Sequence, residues 1–297
     1  MSSPLAADAL RAQNRAETLA LRLPPLLVAA ERVAATVAQG VHGRRRVGTG
    51  ETFWQFRRYQ QGDAATAIDW RQSAKSQPVF VRENEWEAAQ SVWLWRDASP
   101  SMDWRSDPSL PTKCDRAELL TLALASLLVR GGERVALLGT GVAPSSGRHM
   151  VARLALHLTE RQGRPEGDGL PTPEPLPRHA QVVLAGDLLS PLPDIQAALS
   201  RLSGRGLRGH LLQVLDPAEE TLPFEGRVEF RGLEGEDRLL VPRVEGLRDA
   251  YLERLAAHRD GLAALARAAG WSFATHRTDR PPQTALLSLY AAMAPEA

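Results

Sequence analysis

One stretch decides the fold of this 297-residue chain: S-V-W-L-W-R-D-A-S-P-S-M, residues 91–102. Its first half, Ser91–Arg96, is dominated by large apolar side chains, as expected of a strand buried on both faces of a parallel sheet. Its second half is a polar loop of residues that favour turns. Ligands bind at the carboxyl ends of the strands in open α/β sheets, so an acidic residue directly after a strand is a candidate site residue.

Strand and helix patterns alternate from this stretch to the end of the chain. Further strands are predicted at 134–138, 181–185, 210–215 and 271–274. Helices are predicted at 115–129, 149–159, 194–202, 247–269 and 283–292. A hairpin excursion is predicted at 222–241, with arms at 228–230 and 238–241. Because strands alternate with helices, we predict a Rossmann-type parallel sheet sandwiched by helices over residues 90–297.

Two segments precede this predicted sheet. Residues 1–43 are rich in alanine, leucine, arginine and glutamate, which favour helices, and Pro24–Pro25 is expected to divide them into two helices. Residues 44–89 hold a dense group of aromatic side chains between Phe53 and Trp70, whereas linkers are poor in large aromatics. We therefore predict a helical segment and then an aromatic and arginine-rich arm that packs on the main domain.

Composition narrows the class of protein. Lys and Arg number 36 and Asp and Glu 35, so the chain lacks the basic excess typical of nucleic-acid binders. No run approaches the ~20 apolar residues needed to span a bilayer, and no signal peptide is visible at the start. The single cysteine, Cys114, allows no internal disulfide, which fits a reducing compartment. We expect a cytoplasmic protein without a membrane span or a nucleic-acid partner.

The polar loop after the first sheet strand carries a D-x-S-x-S pattern. Asp97, Ser99 and Ser101 can turn toward one point, and a carboxylate with two hydroxyls suits Mg²⁺ or Mn²⁺. Asp187 follows the predicted strand at 181–185 and completes the candidate metal set. Such an ion can accept an acidic side chain from a partner, which suits adhesion better than catalysis. The alternative is that Asp97 and Ser99 only cap a turn.

Further motifs lie upstream of this loop. The chain reads G-R-R-R-V-G-T-G at 43–50, R-R-Y-Q-Q-G-D-A at 57–64, I-D-W-R at 68–71 and V-R-E-N-E at 81–85. Together with D-A-S-P-S-M at 97–102, these motifs resemble the bacterial family called domain of unknown function 58 in order, spacing and residue types. The resemblance implies a von Willebrand factor A-like domain with a metal-ion-dependent adhesion site. It also implies action with a MoxR-type AAA+ ATPase in assembling or activating a client complex.

One metal ligand implied by the resemblance has no clear counterpart. The A-like site normally adds a threonine from a separate loop, and no threonine stands clearly in that place. Ser145 and Ser146, before the predicted helix at 149–159, are the substitutes that the sequence offers. A degenerate, metal-free site in a structural scaffold therefore remains open.

Enzymatic functions are less well supported by the sequence. A haloacid-dehalogenase-type phosphatase needs a second aspartate where this chain has Ser99. The chain contains neither a G-x-S-x-G elbow nor a G-x-x-x-x-G-K-[ST] phosphate loop. Arg44–Arg46 could contact phosphate or acidic surfaces, although such clusters are more often solvated. We predict a non-enzymatic interaction module, with a structural scaffold as the second interpretation and a metal-dependent hydrolase or phosphatase as the third.

Overall fold

The computed structural model describes residues 25–38, 47–60, 66, 68–75, 78–85, 90–159, 169–178, 180–203, 206–233 and 237–293. The chain divides into two compact units. The smaller unit spans residues 40–90, and the larger one holds residues 1–39 together with residues 91–297. Arg44–Arg46 and the first predicted helix, before Pro24, lie outside the described residues.

The elements alternate along the larger unit as the sequence predicts. Over both units together, the strands are β1 (Val47–Arg58), β2 (Phe80–Glu85), β3 (Ser91–Arg96), β4 (Arg134–Leu137), β5 (Gln181–Gly186), β6 (Arg208–Leu215), β7 (Val228–Arg231), β8 (Arg238–Val241) and β9 (Ser272–Arg277). The helices are α1 (residues 25–38), α2 (Trp70–Ser73), α3 (Lys113–Arg130), α4 (Arg148–Thr159), α5 (Leu192–Ser203), α6 (Pro217–Thr221), α7 (Glu245–Ala268) and α8 (Pro282–Met293). None of these described helices is both long and apolar enough to cross a membrane.

A five-stranded parallel sheet forms the centre of the larger unit, with strand order β4-β3-β5-β6-β9. The chain moves from β3 to one side at β4, and then crosses back to the other side at β5. The strand order therefore reverses between β3 and β5, and such a reversal opens the crevice in which α/β sheets bind ligands. The hairpin of β7 and β8 stands outside this sheet, as the sequence predicts.

Helices cover both faces of the sheet. Helix α3 packs against α4 and α8 on one face, and α5 packs against α7 on the other. Neighbouring strand residues alternate between these layers: Leu94 lies beside α3 and α8, whereas Trp93 joins the core formed with α5 and α7. All six residues of β5 are buried, which explains its continuous apolar run. The predicted Rossmann-type α/β fold, a parallel sheet sandwiched by helices, is confirmed.

Helix α1 belongs to the larger unit although residues 40–90 separate it from β3. Its buried residues Ala30, Val33, Ala34 and Val37 follow the spacing of one helical face. Ser126 of α3 donates a 2.5 Å hydrogen bond to Glu31, which also pairs with Arg130. The second predicted N-terminal helix therefore docks on this chain itself.

Helix α3 begins two residues earlier than the sequence predicts. The Thr112 side chain caps the helix by accepting a 3.0 Å hydrogen bond from the backbone N–H of Asp115. Lys113, rather than Asp115, is consequently the first helical residue. Because Lys113 lies in the first turn of α3, its side chain lies at the same edge of the sheet as the loop after β3.

The smaller unit contains an antiparallel pair of strands, β1 and β2, with an irregular register. Asp69 of the I-D-W-R motif caps α2, because its carboxylate accepts a 2.8 Å hydrogen bond from Gln72 N. Ser73 Oγ in turn accepts one from Phe80 N at 2.8 Å, which ties α2 to β2. The Trp70 side chain is 68% exposed, so it adds nothing to the core of this unit. The predicted packing of this arm on the main domain stays a prediction.

Candidate functional site

Asp97 and Asp187 both lie where neighbouring strands end, at the reversal of strand order. Asp97 directly follows β3, and its backbone N–H donates a 2.8 Å hydrogen bond to Ala185 O of β5. Gly186 stands next to it, and a Cβ on Gly186 would lie 2.7 Å from Asp97 Cβ. Real Cβ atoms do not approach so closely, so the absence of a side chain at 186 lets Asp97 occupy its position.

The four predicted site residues form one hydrogen-bonded network. Asp97 Oδ1 accepts from Ser99 N at 2.8 Å, and the hydroxyls of Ser99 and Ser101 are 3.0 Å apart. Ser101 Oγ donates to Asp187 Oδ2 at 2.7 Å. Asp97, Ser99 and Asp187 are buried and Ser101 is partly exposed. The structure thus brings all four residues together, whereas their role as metal ligands stays a prediction.

Lys113 joins this network from the first turn of α3. Its ammonium donates to Asp187 Oδ2 at 2.9 Å and to Glu219 Oε1 at 2.6 Å, and the residue is only 1% exposed. Burial by itself would lower the pKa of Lys113, but the carboxylates of Asp187 and Glu219 outweigh it and raise the pKa above its ordinary value. The lysine is therefore a fixed positive charge inside the site at neutral pH.

Glu219 is positioned by the end of a third strand. Asp216 follows β6 and caps α6: its Oδ1 accepts from Ala218 N at 2.8 Å, while Glu219 Oε2 accepts from Asp216 N at 2.8 Å. This capping box orients the other oxygen of Glu219 toward Lys113. The site is thus assembled from the ends of β3, β5 and β6 and from the start of α3.

The loop after α4 passes beside the site, whereas Ser145 does not. A Cβ on Gly169 would lie 3.4 Å from Asp97 Oδ2 and 3.8 Å from Ser99 Oγ. Ser145 instead bridges Val135 near the start of β4, with backbone hydrogen bonds of 2.9 and 3.0 Å. Val135 pairs with Val92 near the start of β3, so Ser145 and its neighbour Ser146 are remote from the loop at the other end of that strand.

The donor atoms of the site are oxygens, but one carboxylate among them is already paired with a cation. Carboxylate and hydroxyl oxygens converge, as a hard cation requires. However, Asp187 Oδ2 already accepts hydrogen bonds from Ser101 and Lys113, and Asp187 Oδ1 accepts from Leu189 N at 3.2 Å. A metal held by all four residues would share Asp187 with a buried ammonium, so the arrangement does not fit it. Within the described part of the chain, no three His, Cys, Asp or Glu side chains form a metal-binding group.

The site opens into a cleft of about 1260 Å³. Its walls include Ser99, Ser101 and Asp187, several guanidinium groups, and apolar side chains from the loop after β5, from β7 and from the residues just after β7: Arg105, Arg201, Arg231, Leu189, Phe230 and Leu233. This volume exceeds the roughly 300–1,000 Å³ of typical small-molecule pockets. The cleft combines apolar side chains and guanidinium groups beside the polar network of the site.

The sequence model of a known family, described as protein of unknown function DUF58, matches residues 55–261. The chain belongs to the DUF58 family. Uncharacterized proteins of Mycobacterium bovis and of two Mycobacterium tuberculosis strains are 27% identical to this DUF58 chain over 262 residues. The aligned region covers 82% of the DUF58 chain and 80% of each relative.

Two solved structures align with about two thirds of the DUF58 chain. An aerotolerance-related membrane protein from Bacteroides fragilis aligns with a TM-score of 0.39 and 17% identity, over 69% of the DUF58 chain and 98% of its own. The conserved hypothetical protein BatB from Bacteroides thetaiotaomicron aligns with a TM-score of 0.38 and 14% identity, over 68% and 98% of the two chains. The family assignment rests on the sequence match and not on these alignments.

Lys113, Glu219 and Gly169 are site residues of the DUF58 chain that the sequence analysis missed. Two of them had a signal. Thr112 is a good N-cap residue, which would have moved the helix start to Lys113, and D-P-A-E at 216–219 is a capping-box pattern directly after a predicted strand. Gly169 had none, because it lies in a loop that the sequence marks only by its proline and glycine content.

Proposed function

We propose that this DUF58 chain is a non-enzymatic protein-interaction module that binds a partner polypeptide in the cleft beside Asp97 and Asp187. The observation that carries the proposal is the cleft itself. It is larger than an ordinary small-molecule pocket, it combines apolar side chains with guanidinium groups, and one end is the polar network of the site. Aromatic and arginine side chains are enriched where proteins bind each other.

The contacts of the two serines argue against a hydrolase. A serine nucleophile needs a base within hydrogen-bond reach that a third group orients for proton transfer. Ser101 donates to Asp187, a carboxylate that the Lys113 ammonium already binds, and Ser99 lies against Ser101. These contacts suit a rigid binding surface better than proton transfer.

The proposed partner is a MoxR-type AAA+ ATPase, acting with the chain in the cytoplasm on a client complex. This part of the proposal rests on the family resemblance. In one version of the interaction, Asp97, Ser99, Ser101 and Asp187 would hold Mg²⁺ or Mn²⁺ and the ion would accept an acidic side chain of the partner, which requires Lys113 to leave Asp187 first. In a second version, favoured by the position of Lys113, the site holds no metal and the partner binds the preformed surface.

Two leucines with similar exposure provide the test. Leu189, in the loop after β5, lines the cleft and is 42% exposed, whereas Leu287 of α8 does not line the cleft and is 45% exposed. Leu189→Asp should weaken binding to the purified MoxR-type ATPase of the same organism by tenfold or more, about 1.4 kcal/mol, in an interferometry titration. Leu287→Asp should bind like the wild type. Equal binding by all three chains would exclude the cleft as the partner surface.

A further inference from the structure

We infer that the Lys113 ammonium is the resident cation of this site, and that the module binds its partner without a divalent metal. The inference rests on the proposed function, because it concerns the same site. Three observations support it: Lys113 is buried at a helix start, the Asp187 oxygens already accept hydrogen bonds, and Lys113 connects three elements of the site.

A positive charge at the position of Lys113 is unfavourable unless nearby negative charges compensate it. It is the first residue of an 18-residue helix, where the helix dipole disfavours a positive charge. It is also buried, and lysines are almost never fully buried unless they are paired. Asp187 and Glu219, at 2.9 and 2.6 Å, supply the negative charges that keep the ammonium there.

Lys113 already binds the Asp187 carboxylate, which a metal ion at this site would need as a ligand. Ser101 and Lys113 both donate to Asp187 Oδ2, so the ammonium stands two hydrogen bonds away from the Ser101 hydroxyl. A divalent cation on these oxygens would meet this buried positive charge at short range, where little water screens the repulsion. Lys113 would have to leave Asp187 before the ion could bind there.

The same contacts assemble the site without an ion. Lys113 connects the start of α3 to the loop after β5, through Asp187, and to α6, through Glu219. Ser101 connects the loop after β3 to the same carboxylate. Structural metals connect distant loops in this way, so the ammonium takes the connecting role and leaves the cleft wall formed in the metal-free chain.

Mn²⁺ alone is the probe for the decisive experiment. The wild-type chain should leave the electron paramagnetic resonance signal of free Mn²⁺ unchanged, and its Tm should be the same in EDTA as in millimolar Mn²⁺ or Mg²⁺. Lys113→Met keeps the side-chain length and removes the charge, which leaves Asp187 and Glu219 uncompensated. We expect K113M to have a lowered Tm in EDTA that millimolar Mn²⁺ raises, and the double variant K113M/D187N to lose this response.

Mn²⁺ binding by the wild type that Asp97→Ala abolishes would overturn the inference. A folded K113M that does not respond to Mn²⁺ would also overturn it. If K113M does not fold, the wild-type titration decides alone. The Leu189→Asp measurement keeps the two proposals separate. If L189D loses partner binding and the wild type binds Mn²⁺, only the role of Lys113 is contradicted. If L189D binds the partner normally and the wild type does not respond to Mn²⁺, only the cleft is contradicted.

Discussion

Two buried histidines in neighbouring strands, His210 of β6 and His276 of β9, make the stability of the larger unit dependent on pH. Burial, with Arg208 nearby, lowers the pKa of His210 to about 4, and burial with Arg116 lowers the pKa of His276 to about 4. An unfolded histidine titrates near 6.5. Between these values the unfolded chain binds more protons, so the free energy of unfolding falls as the pH drops from about 6.5 to about 4.

Replacing His210 should remove part of this pH dependence. His210→Asn can keep the 2.8 Å hydrogen bond that His210 Nδ1 makes with Ser272 Oγ, and it cannot be protonated. We expect the loss of unfolding free energy between pH 7 and pH 5, measured by urea titration, to be smaller than in the wild type by about 2 kcal/mol. His149→Asn, at an exposed position, is the control and should behave like the wild type. An undiminished loss in H210N would contradict this account.

At the scale of elements, the N-cap of α3 determines where that helix begins, and so it places Lys113 in the first turn. Thr112 Oγ1 is the acceptor for Asp115 N, and Thr112→Ala removes it. Loss of such a cap typically costs about 1 kcal/mol, so T112A should lower the free energy of unfolding by that amount in a denaturant titration. Thr172→Ala, in an exposed loop, is the matched control. Equal stability of T112A and the wild type would mean that the first turn of α3 is held by the Lys113 contacts alone.

At the scale of the whole molecule, helix α1 packs in the larger unit, although residues 40–90 separate it in sequence from the rest of that unit. Two valines of α1 test this organisation, because Val33 is 5% exposed and Val28 is 58% exposed. Val33→Asp places a charge in an apolar interface and should lower the free energy of unfolding by at least about 2 kcal/mol, measured by urea titration. Val28→Asp should change it by less than about 0.5 kcal/mol. Similar values for the two variants would mean that α1 does not contribute to the stable unit.

The sequence predicted the elements of the larger unit better than their ends. Helix α7 was recognisable from a helical pattern that extends over many residues, and β5 from a short continuous apolar run. The last strand was predicted to end at residue 274, but β9 continues to Arg277 because Thr275, His276 and Arg277 pair with the end of β6. Pairing partners supply that continuation, and a local pattern does not contain them. In the smaller unit, the aromatic stretch after Val47 forms β1, a strand that its composition alone did not predict.

The sequence by itself determined the parallel sheet, the family and the loop of Asp97, Ser99 and Ser101. Those three residues lie within five positions, and the exit from a buried strand places them together. The sequence also placed Asp187 in the candidate set, but only the tertiary structure decided that Asp187 contacts Ser101 and that Lys113 and Glu219 join them. Ser101 and Asp187 are 86 residues apart, Lys113 and Asp187 are 74 apart, and Lys113 and Glu219 are 106 apart. The order of the strands sets which loops become neighbours, and helix packing sets where a first-turn side chain ends. Strand order and helix packing both depend on how apolar residues are buried across the whole sheet, and a short stretch of sequence does not carry that information.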